Sequence, residues 1–317
     1  MSVGRRNRRP WDGGRFCAAV TVILAALIAV GAGCRSERRA GDGARVSGHR
    51  YARIVSLSPS ITETLFALGL GDRVAGVTRF CVYPPEARAK PKVGGFFDPN
   101  YEALVALKPD LVILLESQEQ ARAYLSGLGI ETLTVRNEPV GEILRTITVI
   151  GDSCGAAHAA DSLVTAIRSL MRAAAEKTAG LARPRVLVSV GRNAGTGTPG
   201  PVYVAGPGTF YDELIALAGG VNAYRGAAIA YPELSSEGIT RLDPDIIIDF
   251  IPDLAQRGVS EQAARSDWSA LRDVRAMKSG RVYVLTADYM TVPGPRFIRT
   301  LEDLARLFHP EVSWEQQ

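Results

Sequence analysis

The sequence predicts an α/β fold of two lobes, each a parallel sheet covered by helices, with one long helix joining them. Three observations carry this expectation. First, a short element occurs twice. "NYEALVALKPDLVI" begins at Asn100 and "SSEGITRLDPDIII" at Ser235. Laid together without a gap, Glu102 falls on Glu237, Leu107 on Leu242, Pro109 on Pro244, Asp110 on Asp245 and Ile113 on Ile248. Second, short β-branched runs alternate with helical patterns in both halves, the signature of parallel strands with helical crossovers. Third, strand signals vanish between Val140 and Ala179, where Ala, Leu, Met and Arg favour a long helix.

The elements follow in order. "ARIVSLS" is a buried strand by type, and "SITETLFALGL" a helix in which Ser60 and Glu63 have capping-box spacing. "RVAGVT" is a strand, "YEALVALKP" a helix, "DLVIL" a strand, "SQEQARAYLSGLG" a helix and "IETLTV" a strand. "VGEILRTITVIGDS" reads as a short helix broken near Gly151 and Gly155, followed by the long helix. After Pro184 come the strand "RVLVSV", the helix "TFYDELIALAGG", the helix "EGITRLDP", the strands "DIIIDF" and "RVYVLT", and the closing helix "PRFIRTLEDLARLF". In each repeat the Pro ends a helix and the aliphatic residues enter a sheet. A Glu in a first turn complements the helix dipole, so the shared Glu has a local account as well as any functional one.

Residues 1–34 carry five Arg and one Asp, residues 35–50 a net +3, and residues 51–317 a net −3. A weakly acidic body excludes nucleic acid as the expected partner, because phosphate recognition needs clustered cations. The basic start, followed by "FCAAVTVILAALIAVGAG", reads as an export signal. "VGAGC" resembles a bacterial lipobox, which makes Cys34 the expected lipidation site. Residues 35–50 then form a polar tether, 51–155 the first lobe, 156–180 the bridging helix and 184–317 the second lobe. Export leaves Cys81 and Cys154 as an even pair in an oxidising compartment, so a disulfide between them is expected.

"RIVSLSPSITETLFALGLGDRVAGVT", "YPPEA", "KVGGFFDPNYEALVALKPDLVI" and "LAGGVNAY" resemble the periplasmic binding proteins that deliver cobalamin and ferric siderophores to ABC importers. The resemblance covers about residues 51–310. It implies the bilobed periplasmic-binding-protein fold, which closes only slightly on its ligand, and a monomer without an enzyme cofactor. The implied partners are an ABC permease dimer with its ATPase subunits, and the membrane through the lipid. It also implies that Glu102 and Glu237, one per lobe, pair with arginines of the permease. Likeness to cobalamin-binding members places Phe80, Phe96, Tyr231, Asp288 and Tyr289 in the cleft. Flat aromatic faces suit a corrinoid, and a carboxylate suits its peripheral amides.

A ferric siderophore is the alternative ligand, with Arg79 and Arg296 as the cations it would want. Haem is disfavoured because His49, His158 and His309 all fall outside the expected cleft, although a Tyr could serve as axial ligand. No His/Cys/carboxylate spacing predicts a metal site. "GRNAGTGTPGPVYVAGPGTF" lacks the endings of phosphate loops and reads as a Gly/Pro-rich loop at the cleft mouth. An anchored α/β enzyme would need a nucleophile and base that the sequence does not provide. A ligand-free sensory or adhesion module would need neither the aromatics nor both rim glutamates.

Overall fold

A computed structural model describes residues 51–227 and 229–314. The export signal, Cys34 and the tether lie outside the described residues. In the first lobe β1 (Ile54–Ser56), β2 (Val74–Val77), β3 (Leu111–Leu115) and β4 (Thr132–Val135) form one parallel sheet in the order β2-β1-β3-β4. Its helices are α1 (Pro59–Ala67), the single turn α2 (Pro85–Arg88), α3 (Tyr101–Ala106) and α4 (Glu119–Gly127). Next come α5 (Val140–Cys154) and α6 (Ala157–Thr178).

The second lobe contains β5 (Arg185–Gly191), β6 (Val202–Val204), β7 (Val221–Asn222), β8 (Glu233–Leu234), β9 (Ile246–Phe250) and β10 (Val282–Leu285). Its helices are α7 (Phe210–Leu217), α8 (Ser236–Leu242), α9 (Glu261–Asp267), α10 (Arg275–Lys278) and α11 (Phe297–Phe308). Its sheet runs β10-β9-β5-β6-β8, with β7 also beside β5. This sheet is mixed, not purely parallel. The Gly/Pro-rich loop after β5 turns the chain back, so β6 and β8 pair antiparallel. A strand therefore sits inside the stretch that sequence composition marks as loop.

Alternation along each strand distributes the core. In the first lobe Ile54, Leu111 and Ile113 face α1 and α5 through Ile61, Leu65, Ile147 and Ile150. Val55, Val112 and Leu114 face the other way, onto Leu104 of α3 and Leu125 of α4. The second lobe repeats the scheme. Val186 and Ile248 pack on Phe210, Leu301 and Phe308, while Leu187 and Ile247 pack on Ile239 and Trp268. One apolar cluster runs from the first lobe, through Ala160, Val164 and Ile167 of α6, into the second. Gly151 does not break α5. A Cβ there would stand 2.4 Å from the Cβ of Ala160, so the glycine lets α5 and α6 approach. α5 ends instead at Gly155, whose φ of +74° is the left-handed conformation of a helix stop.

The two copies of the repeat fold alike. Asn100 and Ser235 are the N-caps, accepting from the amides of Ala103 and Gly238. Leu104 and Ile239 are both fully buried. Lys108 and Asp243 both take positive φ, 48° and 45°. Asp110 accepts the backbone amides of Ala52 and Arg53 at the entry to β1, and Asp245 accepts that of Arg185 at the entry to β5. Arg53 and Arg185 then bond the carbonyls of Leu107 and Leu242. The Pro-Asp pair thus joins a helix end to the neighbouring strand in both lobes.

Two further sequence expectations need correction. The helix carrying Ser60 starts two residues earlier than its capping-box spacing implies, with Ser58 at the N-cap position and Pro59 as first residue. Cys81 and Cys154 are free buried thiols, not a disulfide. The Cys81 sulfur lies 3.1 Å from the hydroxyls of both Thr62 and Thr78. Cys154 closes α5, and burial pushes its thiol up to about 11. Each behaves as a small apolar residue with its own surroundings.

Candidate functional site

In open α/β sheets the loops beyond the carboxyl ends of the strands form the crevice where ligands bind. Here β1 leads to Ser58 and Ser60, β2 to Phe80, and β4 to Asn137. From the second lobe, Thr291, Val292 and Pro293 follow β10. These loops, with Phe96, line a hollow of about 300 Å³. The structure therefore brings Phe80 and Phe96 together at a boundary between the lobes. A wider depression of about 790 Å³ lies in the second lobe around Arg183, Arg275 and Arg281. Those guanidinium groups are bonded to helix-end carbonyls and to Asp243 and Asp245, so that depression is a structural seam.

The "KVGGFFDPN" turn explains how the aromatics are presented. Gly94 has φ +92°, and a Cβ there would meet the backbone nitrogen of Asn100 at 2.4 Å. Only glycine permits this tight return, which packs Phe96 partly against the core at the hollow's edge and leaves Phe97 exposed. Phe97 is 81% exposed and Phe80 51% exposed. The Phe97 ring stands edge-on to Phe96, with centroids 4.6 Å apart. Phe97 was not singled out by sequence, although it neighbours Phe96 in the same motif. Gln118 was also missed. It is buried and donates its amide to the carbonyls of Phe96 and Leu57, at 2.7 and 3.1 Å, while its oxygen accepts from Leu115. It positions the Phe96 turn against the end of β1.

Three carboxylates connect the lobes. Glu63 on α1 is buried and receives two N–H groups of Arg296, at 2.9 and 2.5 Å. The same guanidinium bonds both oxygens of Asp288 and lies 3.7 Å over the Tyr83 ring. Burial raises the Glu63 carboxyl above its ordinary range despite the opposing pull of Arg296. Glu213 of α7 accepts the backbone amide of Val140 at the start of α5. Glu138, next to Asn137, accepts the Tyr231 hydroxyl across the lobe boundary. Burial raises the Glu138 carboxyl too, against the effect of that hydrogen bond.

The remaining residues fall as follows. Asp288 is exposed and committed to Arg296. Tyr289 turns inward and donates to Asp303 at 2.7 Å. Arg79 pairs with Asp98 at 2.9 Å and lies beside the Phe80 ring. The glycine-rich loop after Arg192 gives the amides of Gly195 and Gly197 to the Asp267 carboxylate, so an internal anion already occupies them. Glu102 and Glu237 are exposed, each in the first turn of its helix and away from the hollow's lining. The Ser235 hydroxyl bonds Glu237 and holds its carboxyl below the usual value. Among the described residues no group of His, Cys, Asp and Glu could hold a metal ion, and no helix is long and apolar enough to cross a membrane.

A bilobed α/β body with a crevice at its strand ends defines a ligand-binding protein, and the comparisons agree. The chain matches the periplasmic binding protein family over residues 54–289 and belongs to that family. Its members are transport binding proteins of ABC importers and not enzymes. They carry transported ligands rather than cofactors, and act outside the cytoplasm with a membrane permease and its ATPase. The uncharacterized ABC transporter substrate-binding lipoprotein YvrC of Bacillus subtilis is 34% identical over 82% of this chain and 80% of its own length. A cobalamin-binding protein of Halobacterium salinarum is 29% identical over 93% and 85%. A periplasmic heme binding protein from Pseudomonas aeruginosa has a TM-score of 0.72 at 26% identity, covering 83% of this chain and 94% of that one.

Proposed function

We propose that this protein captures a corrinoid such as cobalamin and delivers it to an ABC importer, held near the membrane by a lipid on Cys34. The observation that carries the ligand reading is the Phe80–Phe96 hollow at the strand ends, with Phe97 exposed beside it. Aromatic faces give a large flat ligand apolar contact without charge. A hollow of about 300 Å³ receives one side of a macrocycle, and the rest lies along the cleft rim. The Halobacterium relative named for cobalamin binding supports the same reading.

Titration of the purified protein with cyanocobalamin, haemin and a ferric siderophore tests it. Phe96→Ala should weaken cyanocobalamin by about 1–3 kcal/mol. An unchanged dissociation constant, or tight binding of the siderophore or haemin instead, rejects the corrinoid.

Glu102 and Glu237 are proposed as the permease contacts. Matching positions in two matching lobes can meet two equivalent basic sites on a permease dimer. Charged rim contacts of this kind set register and encounter rate more than affinity. Glu102→Ala and Glu237→Ala should leave ligand affinity unchanged and reduce uptake, the double variant most. The alternative is a purely local role at the helix ends, worth about 0.3–1 kcal/mol of stability. Normal uptake by the double variant, measured with the cognate permease, rejects docking through these residues.

A further inference from the structure

The charges around the hollow are unevenly balanced. Arg79 is neutralised by Asp98. Arg296 faces two carboxylates, Glu63 and Asp288. Arg299, nearer Tyr289, is set against Asp303, which also takes the Tyr289 hydroxyl. Glu138 has a hydroxyl, that of Tyr231, as its side-chain partner and no salt bridge to a cation among the described residues. The named side chains therefore carry a net negative charge. One Glu138 oxygen receives the Tyr231 hydroxyl, and the other can accept a further N–H. Glu138 is half-buried and immediately follows Asn137, which lines the hollow. Its bond to Tyr231 also crosses the boundary where the two lobes meet.

We propose that Glu138, held by Tyr231, is a charge filter: it accepts a hydrogen bond from an amide or other N–H donor on a neutral or cationic ligand and disfavours anionic chelates. This rests on the reading that the hollow is the ligand site. A carboxylate in a half-desolvated cleft repels a ligand carboxylate or catecholate, because like charges brought together away from water cost several-fold or more in affinity. It costs nothing to a ligand whose rim is made of carboxamides. Phenylalanine rings alone would not separate a corrinoid from a haem, since both are flat and large. Glu138 separates them by the charge of their edges.

The test is titration of the purified full-length protein and of Glu138→Gln with two probes, cyanocobalamin and haemin, under one buffer condition. Glu138→Gln keeps the shape and removes the charge, and Glu138→Thr is a second uncharged variant if the first folds poorly. Haemin affinity should rise about tenfold in the variant, and cyanocobalamin affinity should fall about three- to tenfold. The ratio of the two affinities is the readout, and a merely structural role for Glu138 would move both in the same direction. An unchanged ratio overturns the filter, even if cyanocobalamin binds tightly and the corrinoid reading stands. Haemin gain in the variant without any cyanocobalamin binding to either protein upholds the filter and rejects the corrinoid. Failure of both probes with every protein rejects both.

Discussion

Arg296→Met should destabilise the protein by about 3–5 kcal/mol, the usual consequence of stripping the partner from a buried charge. The Glu63 side chain is 3% exposed and that of Arg296 11%, so solvent screens little of their interaction. The guanidinium also caps the Tyr83 ring and holds Asp288, and all these contacts are lost together. The effect has a pH signature. Burial already raises the Glu63 carboxyl in the folded protein, and loss of Arg296 raises it further. A carboxyl raised on folding contributes stability below its unfolded value and loses it as pH rises through the folded one. The variant's deficit should therefore be greater at about pH 8 than at about pH 5. Urea denaturation at both values measures it, and equal deficits would sink the account. Glu63→Leu in the same background should recover much of the loss, because the uncompensated charge is then gone.

Arg192→Met should cost at least as much, about 3–5 kcal/mol or more, since one cation serves two buried carboxylates. Arg192 and Asp249 have no exposed side-chain surface, and Asp267 has 1%. The Trp268 indole also donates to Asp249, at 3.0 Å. For Asp267 burial acts upward, but the bonds from Arg192, Gly195 and Gly197 prevail and hold its carboxyl below the ordinary value. A carboxyl lowered on folding gives stability above its unfolded value and loses it as pH falls through the folded one. The wild-type contribution of Asp267 should accordingly fade on acidification, the opposite trend to Glu63. The variant should also loosen the loop that Asp267 ties down, which limited proteolysis between Arg192 and Val202 would detect. Wild-type stability and an uncut loop would contradict this arrangement.

Local pattern made much of the fold legible. The alternating β-branched runs and helical periods located the strands of the first lobe, and the repeat around Pro109 and Pro244 marked equivalent junctions. What stayed hidden depends on distance along the chain. Glu63 fits a capping motif with Ser60, yet its partner Arg296 lies 233 residues away. The cleft aromatics Phe80 and Phe96 were readable through their motifs. Gln118, which supports Phe96, carries no local signature. Two cysteines in an exported chain pointed to a bond, but pairing requires the sulfurs to meet, and each thiol is enclosed by different neighbours. β6 was hidden by the glycines and prolines around it, because a strand completed by distant partners needs little propensity of its own.

The apolar cluster that passes through α6 has a mechanical consequence. A hinge that opened widely would have to expose that cluster to water, at about 25 cal/mol for each Å² uncovered. The two halves are therefore coupled like the jaws of a stiff caliper rather than a flexing clamp. A caliper spends little free energy on closing, so the contact surface sets its grip. Its grip is also hard to relax from within. On the proposed function, letting go of the cargo then becomes a task for the docked partner.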